Sequence, residues 1–260
     1  MTFLELYLYS YLFIIAFMTL LWFVSVLIKN ASIVDWFWGF SFIMLGAFYF
    51  YNTQGLEMRK LTIMSLVFIW GMRLSIYLAK RHWGKGEDFR YQKFRQDYGP
   101  ERYWWVSYFQ VFLLQGTLAW LISSPLLAAM YYSENVAINI IDIMAVFVWL
   151  IGFMFEAIGD YQLSVFKSNP NNKGKLLTSG LWRYTRHPNY FGDAGLWWGF
   201  GLFAIASESY LPFMSSILMT LLIIKVSGVS LLEKSLNRNK DGYSEYSEKT
   251  NAFFPWFPKN

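Results

Sequence analysis

The residues best suited to chemistry lie in one stretch, Gly180 to Gly199, which reads GLWRYTRHPNYFGDAGLWWG. It places two arginines, one of the chain's two histidines, an asparagine and an aspartate at the opening of an apolar segment. Arg183, Arg186 and His187 carry donors with the charge and geometry to hold a phosphate or a carboxylate. Pro188 suits the first turn of a helix, where its missing N–H is not needed. Asn189 and Asp193 then stand four residues apart and share one helical face. A basic mouth above a polar face describes a ligand site that runs down into a membrane. Arginines and aromatics at the end of a span also serve as plain headgroup anchors. The aspartate favours the site, because an ionisable residue in an apolar span is costly and marks function.

Other apolar segments carry polar residues too. Asp35 opens one of them, in Ser-Ile-Val-Asp-Trp-Phe-Trp-Gly39. Arg73 and Tyr77 share a face that continues to Lys80 or Arg81, and Gln115 stands alone in a later segment. Glu156 and Asp160 form a pair four residues apart, followed on the same side by Ser164 and Lys167. A lone intramembrane polar residue often makes one interhelical hydrogen bond and nothing more, a reading open for both Gln115 and Asp35. Acidic pairs below basic loops describe a cavity open to the cytosol, basic at its rim and carboxylate- or amide-lined within. A dinucleotide fits that polarity, with phosphates at the rim and ribose or amide groups deeper. The chain has neither a Gly-x-Gly-x-x-Gly turn nor a P-loop, so any nucleotide is expected in a helical, non-Rossmann site.

The elements that must position these residues are transmembrane helices. Hydrophobic residues make up 56% of the 260 and charged ones only 15%, against roughly 25% charged in soluble domains. The fold class is therefore all-α, an integral membrane bundle read as a single transmembrane domain over 1–260. Seven spans are predicted, at about 3–28, 34–53, 61–80, 106–131, 138–166, 188–207 and 209–231. The first contains Glu5 and lacks a basic leader, which predicts a retained span rather than a cleaved signal peptide. Basic residues gather in 80–103, in 167–187 and in the tail with Lys234, Arg238, Lys240, Lys249 and Lys259. The positive-inside rule then puts those loops and the C-terminus in the cytoplasm and the N-terminus outside, with Arg59 and Lys60 as exceptions. The net charge of +5 reflects this orientation, and no nucleic-acid partner is expected. The absence of cysteine excludes disulfides and thiolate chemistry, and two histidines leave no basis for a metal site. Gly195 and Gly199 form a small-xxx-small spacing expected to pack helices within the bundle.

The stretch Gly180–Asp193 resembles the signature of the steroid 5-alpha-reductase-like membrane proteins, most closely their bacterial branch. The resemblance extends through Val34–Gly39, Gly86–Tyr91, Leu114–Gly116, Gly159–Gln162 and the tail from Glu233 through Tyr246 to Trp256. It implies a seven-helix reductase of the bacterial inner membrane, with the cofactor signature in the half from about 106 to 260. Such an enzyme takes hydride from NADPH and delivers it to a carbon–carbon double bond conjugated to a carbonyl in a lipid-soluble substrate. Asn189 and Asp193 match the family's cofactor-contacting Asn and Glu, and Asp160 matches a cofactor-contacting Asp. Lys167 stands where the family has a phosphate-binding Arg, and Glu156 where the steroid reductases carry Asn. The signature residues Tyr184, Arg186, His187 and Tyr190 are expected at the cofactor. Arg81, Arg90 and Tyr91, with Glu233 and Tyr246 of the tail, look similar to the elements closing over it. The steroid reductases polarise the enone carbonyl with a Gln-Glu pair and a Tyr that this chain lacks at those places. Asp35 (protonated), Arg73 or Tyr77 are the candidate donors as enolate charge develops, and steroid specificity does not carry over.

Two other functions compete. The Arg-His-Pro-x-Tyr element also resembles that of the isoprenylcysteine carboxyl methyltransferases, which use S-adenosylmethionine and pair it with a C-terminal Glu such as Glu233. The basic loop at 80–103 favours NADPH, whose 2′-phosphate needs cations, whereas S-adenosylmethionine brings none. A non-enzymatic lipid-binding protein is the third reading, and it requires Asp160, Asn189 and Asp193 to tolerate alanine.

Overall fold

In a bilayer the backbone has no polar partner but itself, so long apolar runs fold as helices. The computed structural model, which describes residues 1–134, 136–227, 229, 233, 236, 240 and 242–259, bears this out. It is helical throughout, with no strand among the described residues. Two compact units are present: Met1–Ile138 with Ser207–Ser209, and Asn139–Ala206 with Tyr210–Asn260. The first holds α1 (Phe3–Leu27), α2 (Ile33–Trp36), α3 (Trp38–Asn52), α4 (Glu57–His82), α5 (Phe89–Tyr98), α6 (Pro100–Ser107), α7 (Leu114–Ile122) and α8 (Ser124–Tyr131). A π-helical segment, Tyr108–Leu113, joins α6 to α7. The second unit holds α9 (Ile140–Ser168), α10 (Pro188–Ala206), α11 (Met214–Leu221) and α12 (Tyr243–Lys249).

Among the described residues four helical stretches are long and apolar enough to cross a membrane: Phe3–Leu27, Glu57–His82, Pro100–Tyr131 and Ile140–Ser168. The other three expected spans are helical but differ in length or polarity. α3 has 15 residues, short of the ~20 that match a bilayer. α10 has 19 residues, but it opens with Pro, Asn and Asp and is rich in Gly and Trp, which dilutes its apolar character. Leu211–Lys225 is a shorter apolar helix. The tail cations Lys234 and Arg238 lie outside the described residues.

The first unit is apolar on its outside and partly polar within. Leu4, Leu8, Leu12, Leu20 and Phe23 of α1 are exposed, while Ser10 and Ser25 are buried, the arrangement of a helix that faces lipid. The Tyr49 hydroxyl on α3 shares hydrogen bonds with Ser10 at 3.2 Å and Ser123 at 2.8 Å, tying three segments together. Arg59 and Lys60, the exceptions to the charge rule, are both buried. Arg59 donates to the carbonyls of Val136 and Ala137, each at 3.0 Å, and Lys60 donates to Thr53 O at 2.5 Å. Both charges are spent on backbone carbonyls within the chain.

In the second unit α9 and α10 cross at backbone contact. A Cβ on Gly192 would lie 2.3 Å from Glu156 N, and one on Gly199 would lie 2.8 Å from Trp149 Cβ. A Cβ on Gly195 would meet Gly152 Cα at 3.2 Å. The small-residue spacing thus packs helices within the chain, as its sequence suggests, and brings the polar faces of α9 and α10 together.

Candidate functional site

Close approach of α9 and α10 sets the first polar cluster. Asn189 stands in the first turn of α10, and its Nδ2 donates to Asp160 Oδ1 at 3.1 Å. Glu156 and Asp160 are both buried on α9, and Asp193 is half-buried one turn below Asn189. The connection above them is pinned to α9: Leu181 N donates to Gln162 Oε1 at 3.0 Å and Trp182 Nε1 to Gly159 O at 3.2 Å. Lys167 and Arg183 are exposed near this connection. The result is a carboxylate–amide pair at the contact of α9 and α10, a set of groups able to bond the hydroxyls or amide of a polar ligand.

Arg186 does something the sequence does not announce. Its Nε and Nη2 fork the Glu233 carboxylate at 2.8 and 2.7 Å, and its Nη1 donates to the carbonyls of Ser247 and Thr250. Four of the five guanidinium N–H groups are therefore used within the chain. Glu233 also meets His187 Nε2 at 2.9 Å and accepts from the Tyr243 hydroxyl at 2.8 Å. Burial alone raises the Glu233 pKa, but the bonds from His187, Arg186 and Tyr243 outweigh it and hold the carboxyl at about 2. Burial and then the neighbouring Glu233 push the Tyr243 phenol up. The backbone completes the dock: Arg186 N donates to Asn251 O and Trp256 N to Tyr184 O, each at 2.9 Å. Tyr246 donates to Trp182 O, the Tyr184 ring meets Phe257 edge-on at 5.9 Å, and Tyr190 stacks on His187 at 5.6 Å. The C-terminal tail is in this way laced onto the Arg-His-Pro signature.

The first unit assembles a second network. Arg90 Nη2 and the Tyr91 hydroxyl donate to the two oxygens of Asp35, each at 2.7 Å. Arg90 Nε also donates to Asp88 Oδ1 at 2.9 Å, and Gln115 Nε2 donates to the Tyr91 hydroxyl at 3.3 Å. Both Asp35 oxygens accept, so this aspartate is an anchor for a guanidinium and a phenol in this arrangement. Burial first, and the Asp35 carboxylate next, push the Tyr91 phenol well above its ordinary range. Burial would raise Asp88 as well, but its bonds from Arg90 carry it below the usual carboxylate value. Arg73 lies 5.6 Å from the Tyr77 ring on one face of α4, and Arg81 is exposed at the end of that helix.

Several working residues escape a sequence reading. Glu87 accepts from Ala31 N at 2.8 Å and forks Arg95 at 2.9 and 3.0 Å, and Asp88 caps α5 through Arg90 N. These two carboxylates explain the acidic pair that headgroup anchoring leaves unaccounted for. Gln115 is found in a single interhelical bond, to Tyr91. Among the described residues no group of His, Asp and Glu is arranged to hold a metal ion.

Helices with lipid-facing apolar surfaces and inward polar networks define a membrane protein with two buried polar clusters. The family whose profile matches residues 21–250 is described as "Protein of unknown function (DUF1295)", and the chain belongs to it. It is 30% identical over 259 residues to the uncharacterized protein C594.04c of Schizosaccharomyces pombe, covering 90% of this chain and 75% of that one. Shorter similarities link it to two enzymes. One is the probable O-methyltransferase ustE of Ustilaginoidea virens, 41% identical over 68 residues, 26% of this chain and 23% of that protein. The other is the Delta(14)-sterol reductase of Arabidopsis thaliana, 36% identical over 87 residues, 30% of this chain and 23% of that one. No solved structure matches the chain.

Proposed function

We propose that this protein is a membrane-embedded, NADPH-dependent reductase that transfers hydride to a conjugated carbon–carbon double bond of a lipid-soluble enone. The observation that carries the reading is the Asp160–Asn189 hydrogen bond, set by the contact of α9 and α10. A carboxylate and an amide there suit the ribose and carboxamide groups of a dinucleotide, with Asp193 and Tyr190 beside them on α10. Lys167, at the end of α9, and Arg183, in the connection to α10, are both exposed and suit its phosphates, so the residues present fit the cofactor. When bound, NADPH supplies the hydride. A donor must meet the carbonyl oxygen as negative charge develops there, and Asp35, whose two oxygens accept from Arg90 and Tyr91, is an anchor in this arrangement. The similarity to a sterol reductase supports the same class, as does the resemblance to the steroid 5-alpha-reductase-like proteins.

Calorimetry on the detergent-purified protein with NADPH, NADH and S-adenosylmethionine tests it. NADPH is expected to bind at least tenfold more tightly than NADH, and Asn189→Ala is expected to lose that binding while melting like the parent chain. Unchanged NADPH affinity in folded Asn189→Ala overturns the assignment.

A second reading, S-adenosylmethionine-dependent methyl transfer to a lipid, is favoured by the similarity to an O-methyltransferase. Binding of S-adenosylmethionine without NADPH in the same experiment selects it.

A further inference from the structure

A cavity of about 500 Å³ opens in the first unit where the C-terminal end of α1 meets α5 and α6, lined by Ser25, Val26, Lys29, Arg95, Tyr103 and Trp104 among others. Tyr103 is 1% exposed, and its buried hydroxyl has no hydrogen-bond partner among the described residues. Burying a hydroxyl without a partner is unfavourable, and this enclosed hydroxyl becomes a donor to a ligand in the cavity when its neighbours give way. Its ring is held in place from above, with the Arg95 guanidinium 4.5 Å from the centroid. Arg95 spends Nε and Nη2 on Glu87 and on Lys29 O, while Nη1 makes no hydrogen bond among the described residues. Lys29 is exposed and sits in a left-handed backbone conformation, φ 53°. Ser25 and Ser107 already donate to the carbonyls of Trp22 and Trp104, and Glu87 is occupied by Arg95. The lining therefore offers two cations and a phenol as donors, next to an apolar wall.

That wall, Val26, Pro100 and Trp104, adjoins the end of α1 where Phe23 and Leu27 are exposed. Of the helices at the cavity, α1 and α6 belong to stretches long and apolar enough to cross a membrane, and the donors stand at their ends, which puts them at headgroup level. We propose that the cavity seats the phosphate of an anionic phospholipid. Tyr103, Arg95 and Lys29 bond the phosphate oxygens, and the acyl chains leave along Val26 and Trp104. The cations favour a headgroup whose phosphate charge is not offset by a choline.

Thermal melting and native mass spectrometry of the purified full chain test this, with phosphatidylglycerol, phosphatidylcholine and inorganic phosphate as separate additions. Phosphatidylglycerol is expected to raise the melting temperature and to be retained on the protein; the other two are expected to do neither. Tyr103→Phe keeps the ring under Arg95 and removes only the hydroxyl, and Lys29→Gln alters an exposed side chain that stays compatible with folding. Each is expected to weaken phosphatidylglycerol retention about tenfold and to halve its melting shift. Equal retention by parent and variants, or equal effects of phosphatidylcholine, overturns the site. A full shift from inorganic phosphate alone overturns the lipid as its source. If Tyr103→Phe does not fold, Lys29→Gln decides.

Discussion

Replacing Glu233 by glutamine tests whether the Arg186–His187–Tyr243 convergence holds the C-terminal tail in place. The carboxyl sits at about 2 against an ordinary value of 4.5, which corresponds to about 3 kcal/mol favouring the docked form when the group is ionised. The side chain is 24% exposed, so little of this is lost to solvent screening. Because the pKa is depressed on docking, the contribution is complete above pH 4.5 and fades as pH falls toward 2. At pH 3 roughly 1.4 kcal/mol remains. Glutamine keeps the shape but not the charge, and the amide cannot accept the guanidinium fork on both of its atoms. Hydrogen exchange of the Tyr243–Lys249 helix, in detergent at pH 7, reads the change. The expected loss of protection is about a hundredfold. Proteolysis of the tail at pH 3 and pH 7 supplies the second arm, in which the parent chain weakens with acid more than Glu233→Gln. A variant tail that exchanges as slowly as the parent's, or an identical acid response in both proteins, refutes the reasoning.

Two further substitutions probe the scaffold. Arg59→Met removes two bonds to the Val136 and Ala137 carbonyls and is expected to cost about 2 kcal/mol, read as a lower melting temperature. Arg59→Lys should recover little of it, since a lysine does not fork to two acceptors. At the α9–α10 crossing, Gly192→Ala puts a Cβ 2.3 Å from Glu156 N, whereas at Gly195 the nearest atom is 3.2 Å away. The first is expected to cost about 3 kcal/mol or more and the second less than about 1, a difference checked by the yield and melting of the folded protein.

Helix formation was legible because apolar runs must satisfy their own backbone, and among the described residues four of the seven expected runs are long and apolar enough to cross a membrane. The Asp160–Asn189 contact was half legible: the residues stand out as polar in apolar surroundings, but nothing in the sequence orders them 3.1 Å apart. That distance follows from Gly152, Gly192 and Gly199, which let two backbones touch. Long-range charge pairing was not legible. Asp35 reads as a candidate acid until Arg90 and Tyr91, 55 and 56 positions away, take both of its oxygens. Arg59 and Lys60 read as misplaced topological signals because hydropathy arguments assume that a cation faces water or headgroups. Their partners are the backbone carbonyls of Val136, Ala137 and Thr53, which no side-chain pattern betrays.

The Arg186 fork also changes which variants can tell one function from another. Both the reductase and the methyltransferase reading draw on the Arg-His-Pro element, and the methyltransferase reading adds Glu233. In this fold those residues bind each other first, the Arg186 guanidinium being spent on Glu233 and on the carbonyls of Ser247 and Thr250. Arg186→Ala therefore undocks the tail whichever cofactor is used, and loss of binding in that variant follows from either chemistry. Among the described residues Asn189 makes no bond to the tail, and its amide meets Asp160 on α9. A nucleotide held through ribose or carboxamide groups loses a direct contact when Asn189 becomes alanine, while the Glu233 network stays whole. The separation of these two responses, tail protection at Glu233 and cofactor affinity at Asn189, is what makes the cofactor assignment decidable by substitution.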